Sequence, residues 1–235
     1  SISHITKETL YDCYNTFYHP SNMTMCISGN FEPEKIVEEV KKRLLPKEKM
    51  GEIKRIYPEK ELTINKKFKE QNMEVNIPLF MIGYRDVLDN ENNVMKQIAI
   101  EIILNSLIGK SSKLYQKLYT EGLLMGPLEF YDEFADEYSH VVIGEQSENP
   151  ERINEEIVKV LKTEKVTAEN FERNKKALYG EYVSEYDDVE TIGRNFLQDS
   201  MKGINCLDYI DAFNKITLDY VNKIQENLFK EEMSA

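Results

Sequence analysis

The chain has 235 residues, 41% hydrophobic and 31% charged, with 42 acidic against 30 basic side chains and a net charge of −12. The acidic excess argues against a phosphate-backbone ligand, which needs basic surface. The longest apolar run, Ile98–Ile108, carries Glu101 and Asn105 and falls short of the roughly 18 residues a membrane span requires. Neither a nucleic acid nor a membrane is therefore an expected partner.

A mean hydropathy of −0.53 and this length fit one large domain, or one and a half ordinary ones, with a genuine core. The charge suits ordinary solubility and is also compatible with long-range steering of basic peptides. Cys13, Cys26 and Cys206 are scattered and form no C-x-x-C pair. Neither a disulfide framework nor a thiolate zinc site is expected, and a reducing cytoplasm fits best. No basic stretch followed by an apolar one marks a signal peptide.

In chain order, Thr6 reads as a helix cap, with Leu10, Tyr14, Phe17 and Tyr18 on one face. Pro20 breaks that helix, and Met23–Ser28 reads as a strand. A helix with Pro33 in its first turn follows, with Ile36, Val40 and Leu44 as its apolar stripe and Pro46 as its stop. Residues 47–71 are crowded with Lys and Glu and read as an extended connection, with an edge strand near Leu62–Phe68. Asn72–Val87 reads as a buried strand, made irregular by Pro78. A helix at Asn92–Ile108, apolar on nearly all sides, belongs inside the structure, and a second helix covers Ser112–Tyr119. Strands are expected at Leu128–Phe134 and Tyr138–Gln146. Helices follow at Pro150–Lys162, Thr167–Val183, Val189–Lys202, Leu207–Asn214 and Thr217–Phe229. This order predicts an α+β layered fold, with a mixed or antiparallel sheet and helices packed on one face.

Two segments echo each other. Ile5-Thr6 aligns without gaps on Ile216-Thr217, Leu10 on Val221, and Phe17-Tyr18 on Leu228-Phe229. A separation of about 210 residues is too long for a solenoid and suits two duplicated domains. The strand Met23–Ser28 is then expected to pair with the second domain's sheet or with another copy of the chain. The second option would give a homodimer by strand exchange.

The run "ITKETLYDCYNTFY" followed by "HPSNMTMCISGNFEPEKIVEEV" resembles the end of the catalytic half of pitrilysin-type zinc metallopeptidases. "SSKLYQKLYTEGLL" (Ser111–Leu124) resembles a helix in their second half. "DVETIGRNFLQDSMKG" and "YIDAFNKITLDYV" resemble their closing helices. The resemblance implies two similar ferredoxin-like α+β domains closing on a peptide chamber. Zinc is held in the first domain by an inverted H-x-x-E-H helix, whose glutamate activates the metal-bound water. It also implies that residues 1–46 end a catalytic-type domain, that 47–71 link it onward, and that 72–235 form a second, non-catalytic domain without its final strand. The expected partners are a peptide substrate and a catalytic N-terminal half, in the same protein or in a homologous subunit. A bacterial source is expected as well.

No H-x-x-E-H occurs here, and His4, His19 and His140 lie beyond helical reach of one another. No catalytic residue, metal ligand or cofactor is expected in this chain, and zinc is assigned to the parent protein. Many relatives grip substrate near the zinc with an arginine and a tyrosine from the second half. Those places fall on Tyr119 and Met125, the two candidate substrate-binding residues, and this sequence departs from the pattern at both. An inactive peptidase-like paralogue acting as an interaction or regulatory subunit is the alternative. The run "IGKSSK" lacks a preceding strand and a correctly spaced first glycine, so it is no phosphate loop. The carboxylates Glu129, Asp132, Glu133, Asp136 and Glu137 are expected on the solvated side of a hairpin.

Overall fold

The computed structural model describes residues 2–44, 51, 53–54, 56, 64–86, 93–135, 138–230 and 234–235. The chain divides into two compact units, residues 1–57 with 185–203, and residues 58–184 with 204–235.

The first unit opens with α1 (Lys7–Phe17), where the Thr6 hydroxyl accepts from the Thr9 amide at 3.2 Å. Pro20–Asn22 forms a short 3-10 turn, and α2 (Pro33–Arg43) starts on Pro33. The stripe of α2 is expected to be buried, yet neither helix holds a buried residue. Leu10, Tyr14, Phe17, Tyr18 and Leu44 are all exposed, and Ile36 and Val40 are half-buried. Met23–Ser28 is likewise not a strand, and Met23, Met25 and Ile27 are exposed. An apolar period specifies which face could be covered; whether it is covered depends on neighbours elsewhere in the chain.

The second unit is built on three antiparallel strands, β1 (Leu79–Asp86), β2 (Glu129–Phe134) and β3 (Ser139–Gln146), in the order β1-β3-β2. The strand expected over Asn72–Val87 starts only at Leu79, after Pro78, whose nitrogen cannot join a ladder. Of the expected edge strand Leu62–Phe68, residues 64–68 are irregular, and 62–63 lie outside the described residues. The outer edge of β1 is taken by the chain's own end. Tyr84 bridges Ser234, and Gly83 and Ala235 exchange two hydrogen bonds of 2.8 and 2.9 Å. On the β1 edge, Ser234 and Ala235 stand in the place expected for Met23–Ser28. The three strands follow the β-α-β-β-α part of a ferredoxin-like order, with a single bridge at Ser234 beside β1.

Alternation puts Ile82, Tyr84, Val141, Ile143 and Phe134 on one buried face. Asp132 lies opposite Val141 on that same face and is half-buried, so it departs from the solvated hairpin expected of its neighbours. The expected turn carboxylates Asp136 and Glu137 lie outside the described residues. Helix α3 (Asn93–Leu107) is buried nearly all round, as its sequence predicts. It packs against α6 (Ala168–Ser184), α8 (Asp208–Lys215) and α9 (Leu218–Leu228). Each fully buried Ile or Leu of α3 contributes roughly 1.5–3 kcal/mol.

Polar groups are paired within this core. Lys96 Nζ lies 2.6 Å from Asp86 Oδ2, which also accepts from the Ser139 hydroxyl at 3.1 Å. The buried Gln225 of α9 donates its amide to the Leu161 carbonyl at 2.9 Å, meeting an acceptor at the C-terminus of α5 (Pro150–Thr163). Among the described residues, no helix is long and apolar enough to cross a membrane.

Candidate functional site

Tyr119 and Met125 flank the end of α4 (Lys113–Thr120). The Ser112 hydroxyl caps its start by accepting from the Tyr115 amide at 3.0 Å, so "GKSS" is a turn between two helices. Leu114 and Leu118 are buried beneath the helix. Tyr115 and Tyr119, one turn apart, stack with ring centroids 5.8 Å apart and planes 22° apart. Tyr119 remains 56% exposed despite this stack.

The helix ends in a Schellman motif. Gly122 takes φ +71°, where a side chain would be strained. Its amide donates to the Tyr119 carbonyl at 3.0 Å, and the Leu123 amide donates to the Leu118 carbonyl at 2.9 Å. Leu124 is buried, and the chain then turns Met125 outward, 79% exposed. Two ion pairs tie this end of α4 to α5: Lys117–Glu156 and Arg152–Glu121, each at 2.5 Å. The hydrogen bond from Lys117 holds the Glu156 carboxyl below its ordinary range, with its charge as a smaller cause. The arrangement offers an aromatic face, a phenol and a flexible thioether, which can contact an extended peptide but supply no strong acid, base or nucleophile.

The three histidines stay apart. His4 closes a short exposed turn. His19 is a structural cap, its Nδ1 2.7 Å from the Ser21 hydroxyl and accepting from the Ser21 amide at 3.2 Å. His140 sits on β3 between the rings of Tyr138 and Tyr131. Among the described residues, no three His, Cys, Asp or Glu side chains cluster to hold a metal ion. These residues do not fit zinc, and no reaction step is assigned to a metal in this chain.

One residue at this site goes unread in the sequence. Ser147 is 4% exposed; its hydroxyl donates to the Leu123 carbonyl at 2.9 Å and accepts from the Asn149 amide at 3.0 Å. Its signal is a serine three residues before the proline that opens α5, a position that reads as ordinary helix-start chemistry.

Residues 4–178 match the family model described as the Peptidase M16 inactive domain. The chain belongs to the M16 peptidase family. Within it, the chain is 31% identical over 244 residues to the Bacillus subtilis protein named uncharacterized zinc protease YmfH. That alignment covers 100% of this chain and 56% of the relative, so the chain spans little more than half of it. A solved structure described as an M16-like peptidase, from Alicyclobacillus acidocaldarius, superposes with a TM-score of 0.86 at 26% identity, covering 100% of this chain and 58% of that one. A Helicobacter pylori protease superposes at 0.82 with 17% identity, covering 99% and 58%, and supports the fold alone. The M16 assignment agrees with the ferredoxin-like sheet and with the resemblance carried by the helix motifs.

Proposed function

We propose that this M16 domain is the non-catalytic, substrate-chamber half of a zinc-dependent metalloendopeptidase, with the zinc site encoded ahead of Ser1. The observation that carries this reading is the alignment of the whole chain to 56% of a relative named a zinc protease. In the same reading, residues 1–46 close a catalytic-type domain, 47–71 link, and 72–235 form the inactive domain. The protein is bacterial and cytoplasmic, and its substrates are extended peptides.

Helix α1 lends independent support. It and α9 have the same length, a threonine N-cap and the same offset, so Leu10, Tyr14 and Phe17 correspond to Val221, Gln225 and Leu228. The α9 residues are buried and the α1 residues exposed. An amphipathic face of this kind suits the body of a catalytic domain.

The test is zinc content and peptide hydrolysis by the full-length protein. One zinc per chain, with cleavage abolished by chelation, is the expected result. A full-length product that lacks H-x-x-E-H and binds peptide without cutting it would instead make this an interaction subunit. The departures at Tyr119 and Met125 favour that second reading.

A further inference from the structure

Ser147 stands where three separate parts of the second unit meet. Its amide donates to the Pro78 carbonyl, just ahead of β1, at 2.9 Å. Its hydroxyl accepts from Asn149 at the start of α5 and donates to Leu123 in the turn after α4. The Leu123 amide is meanwhile committed to the Leu118 carbonyl, and the adjoining Gly122 amide to the carbonyl of Tyr119 itself. Leu123 is thus held through both its amide and its carbonyl, with Tyr119 four residues before it and Met125 two after. The two ion pairs beside this turn, Arg152–Glu121 and Lys117–Glu156, are partly exposed, and such pairs hold geometry weakly. A buried hydroxyl with both donor and acceptor roles filled fixes position far more firmly.

We infer that Ser147 is a positioning residue for substrate: it locks the α4 turn to the sheet and so sets the separation and facing of Tyr119 and Met125 as one apolar contact for a peptide side chain. The inference rests on the peptide-binding reading above and adds the residue that organises the contact. The hydroxyl does not touch substrate. It acts through the Leu123 carbonyl, and without it that turn is free to shift against β1 and α5. Loss of a contact made equally in the bound ground state and the transition state weakens binding and leaves kcat unchanged.

The test uses the full-length protein and a fluorescent unfolded peptide, with Kd read by anisotropy and hydrolysis read separately. Ser147→Ala is expected to raise Kd about threefold to tenfold, the range one net hydrogen bond spans, with kcat unchanged. Ser147→Thr, which keeps the hydroxyl, restores much of the loss. In a Tyr119→Ala, Met125→Ala background the Ser147→Ala effect disappears, because nothing remains to be positioned. Amide exchange across 121–126 should quicken in Ser147→Ala while the remaining core stays protected, which separates local loosening from a failure to fold. An unchanged Kd, or a penalty that persists in the doubly substituted background, overturns the inference. Wild-type protein that binds peptide without cutting it removes the peptidase reading alone. Wild-type protein that binds no peptide removes both.

Discussion

A Cβ built on Gly193 would lie 2.6 Å from the Ser28 hydroxyl oxygen. That hydroxyl donates to the Val189 carbonyl at 2.6 Å, at the start of α7 (Val189–Met201). Within the first unit, then, α7 lies directly against the extended segment Met23–Ser28, and a glycine in mid-helix allows the approach. Gly193→Ala should gain about 0.5–1 kcal/mol in helix propensity and forfeit about 1 kcal/mol as the Ser28 bond is pushed aside. The single substitution is expected to leave stability nearly unchanged. In a Ser28→Ala background, Gly193→Ala should stabilise by the full propensity gain. A double-mutant cycle in urea measures this coupling, and strictly additive effects would show that the contact is absent.

The Lys96–Asp86 pair is buried on both sides. Lys96→Met leaves the buried Asp86 carboxylate without its ammonium partner, and should cost about 3–5 kcal/mol. Replacing both residues by apolar ones should recover most of that loss, because the desolvation of two charges is then removed as well. Chemical denaturation of the single and double variants checks both statements.

Gly122 occupies the left-handed region at the end of α4. Gly122→Ala should destabilise by about 1–2 kcal/mol, and Gly122→Asn by less, since asparagine tolerates that conformation. Thermal unfolding distinguishes them. Equal losses would mean that the turn relaxes into another geometry.

The Lys117–Glu156 pair makes a pH prediction. The folded-state pKa of Glu156 is lowered, first by the hydrogen bond from Lys117 and then by nearby positive charge. A lowered folded pKa contributes stability that is present above the unfolded value and lost as pH falls through the folded one. Glu156→Gln should therefore melt slightly below wild type at neutral pH, and the two curves should converge in acid. The difference is small because the pair is partly exposed. A gap that widens on acidification would contradict the assignment.

Much of the helical layout was legible from periodicity and caps. Thr6, Ser112 and Thr217 each cap the helix expected after them, because a cap is chemistry between residues three apart. The interior placement of α3 followed from its all-round apolarity. Other features were not legible. Asp132 reads as a hairpin carboxylate, yet its register opposite Val141 turns it inward. The burial of Lys96 depends on Asp86, at the end of β1, being brought against it. Ser147 reads as a helix-start serine, and only the fold adds Leu123 and Pro78 as its partners. At the candidate site, Tyr119 and Met125 could be named from a family resemblance, but the stack on Tyr115 and the turn that exposes Met125 could not.

By itself the sequence determined where helices begin and end, the absence of an H-x-x-E-H motif in this chain, and the matching residue pattern of its first and last long helices. These follow from interactions within a turn or two and from the pattern of side chains along the chain. Tertiary structure alone decided that α9 is covered while α1 is exposed, and that the β1 edge receives Ser234 and Ala235. It also decided that one serine joins its own helix start to two distant segments, at Pro78 and Leu123. Each depends on which surfaces meet across long chain separations, and no local period encodes that choice.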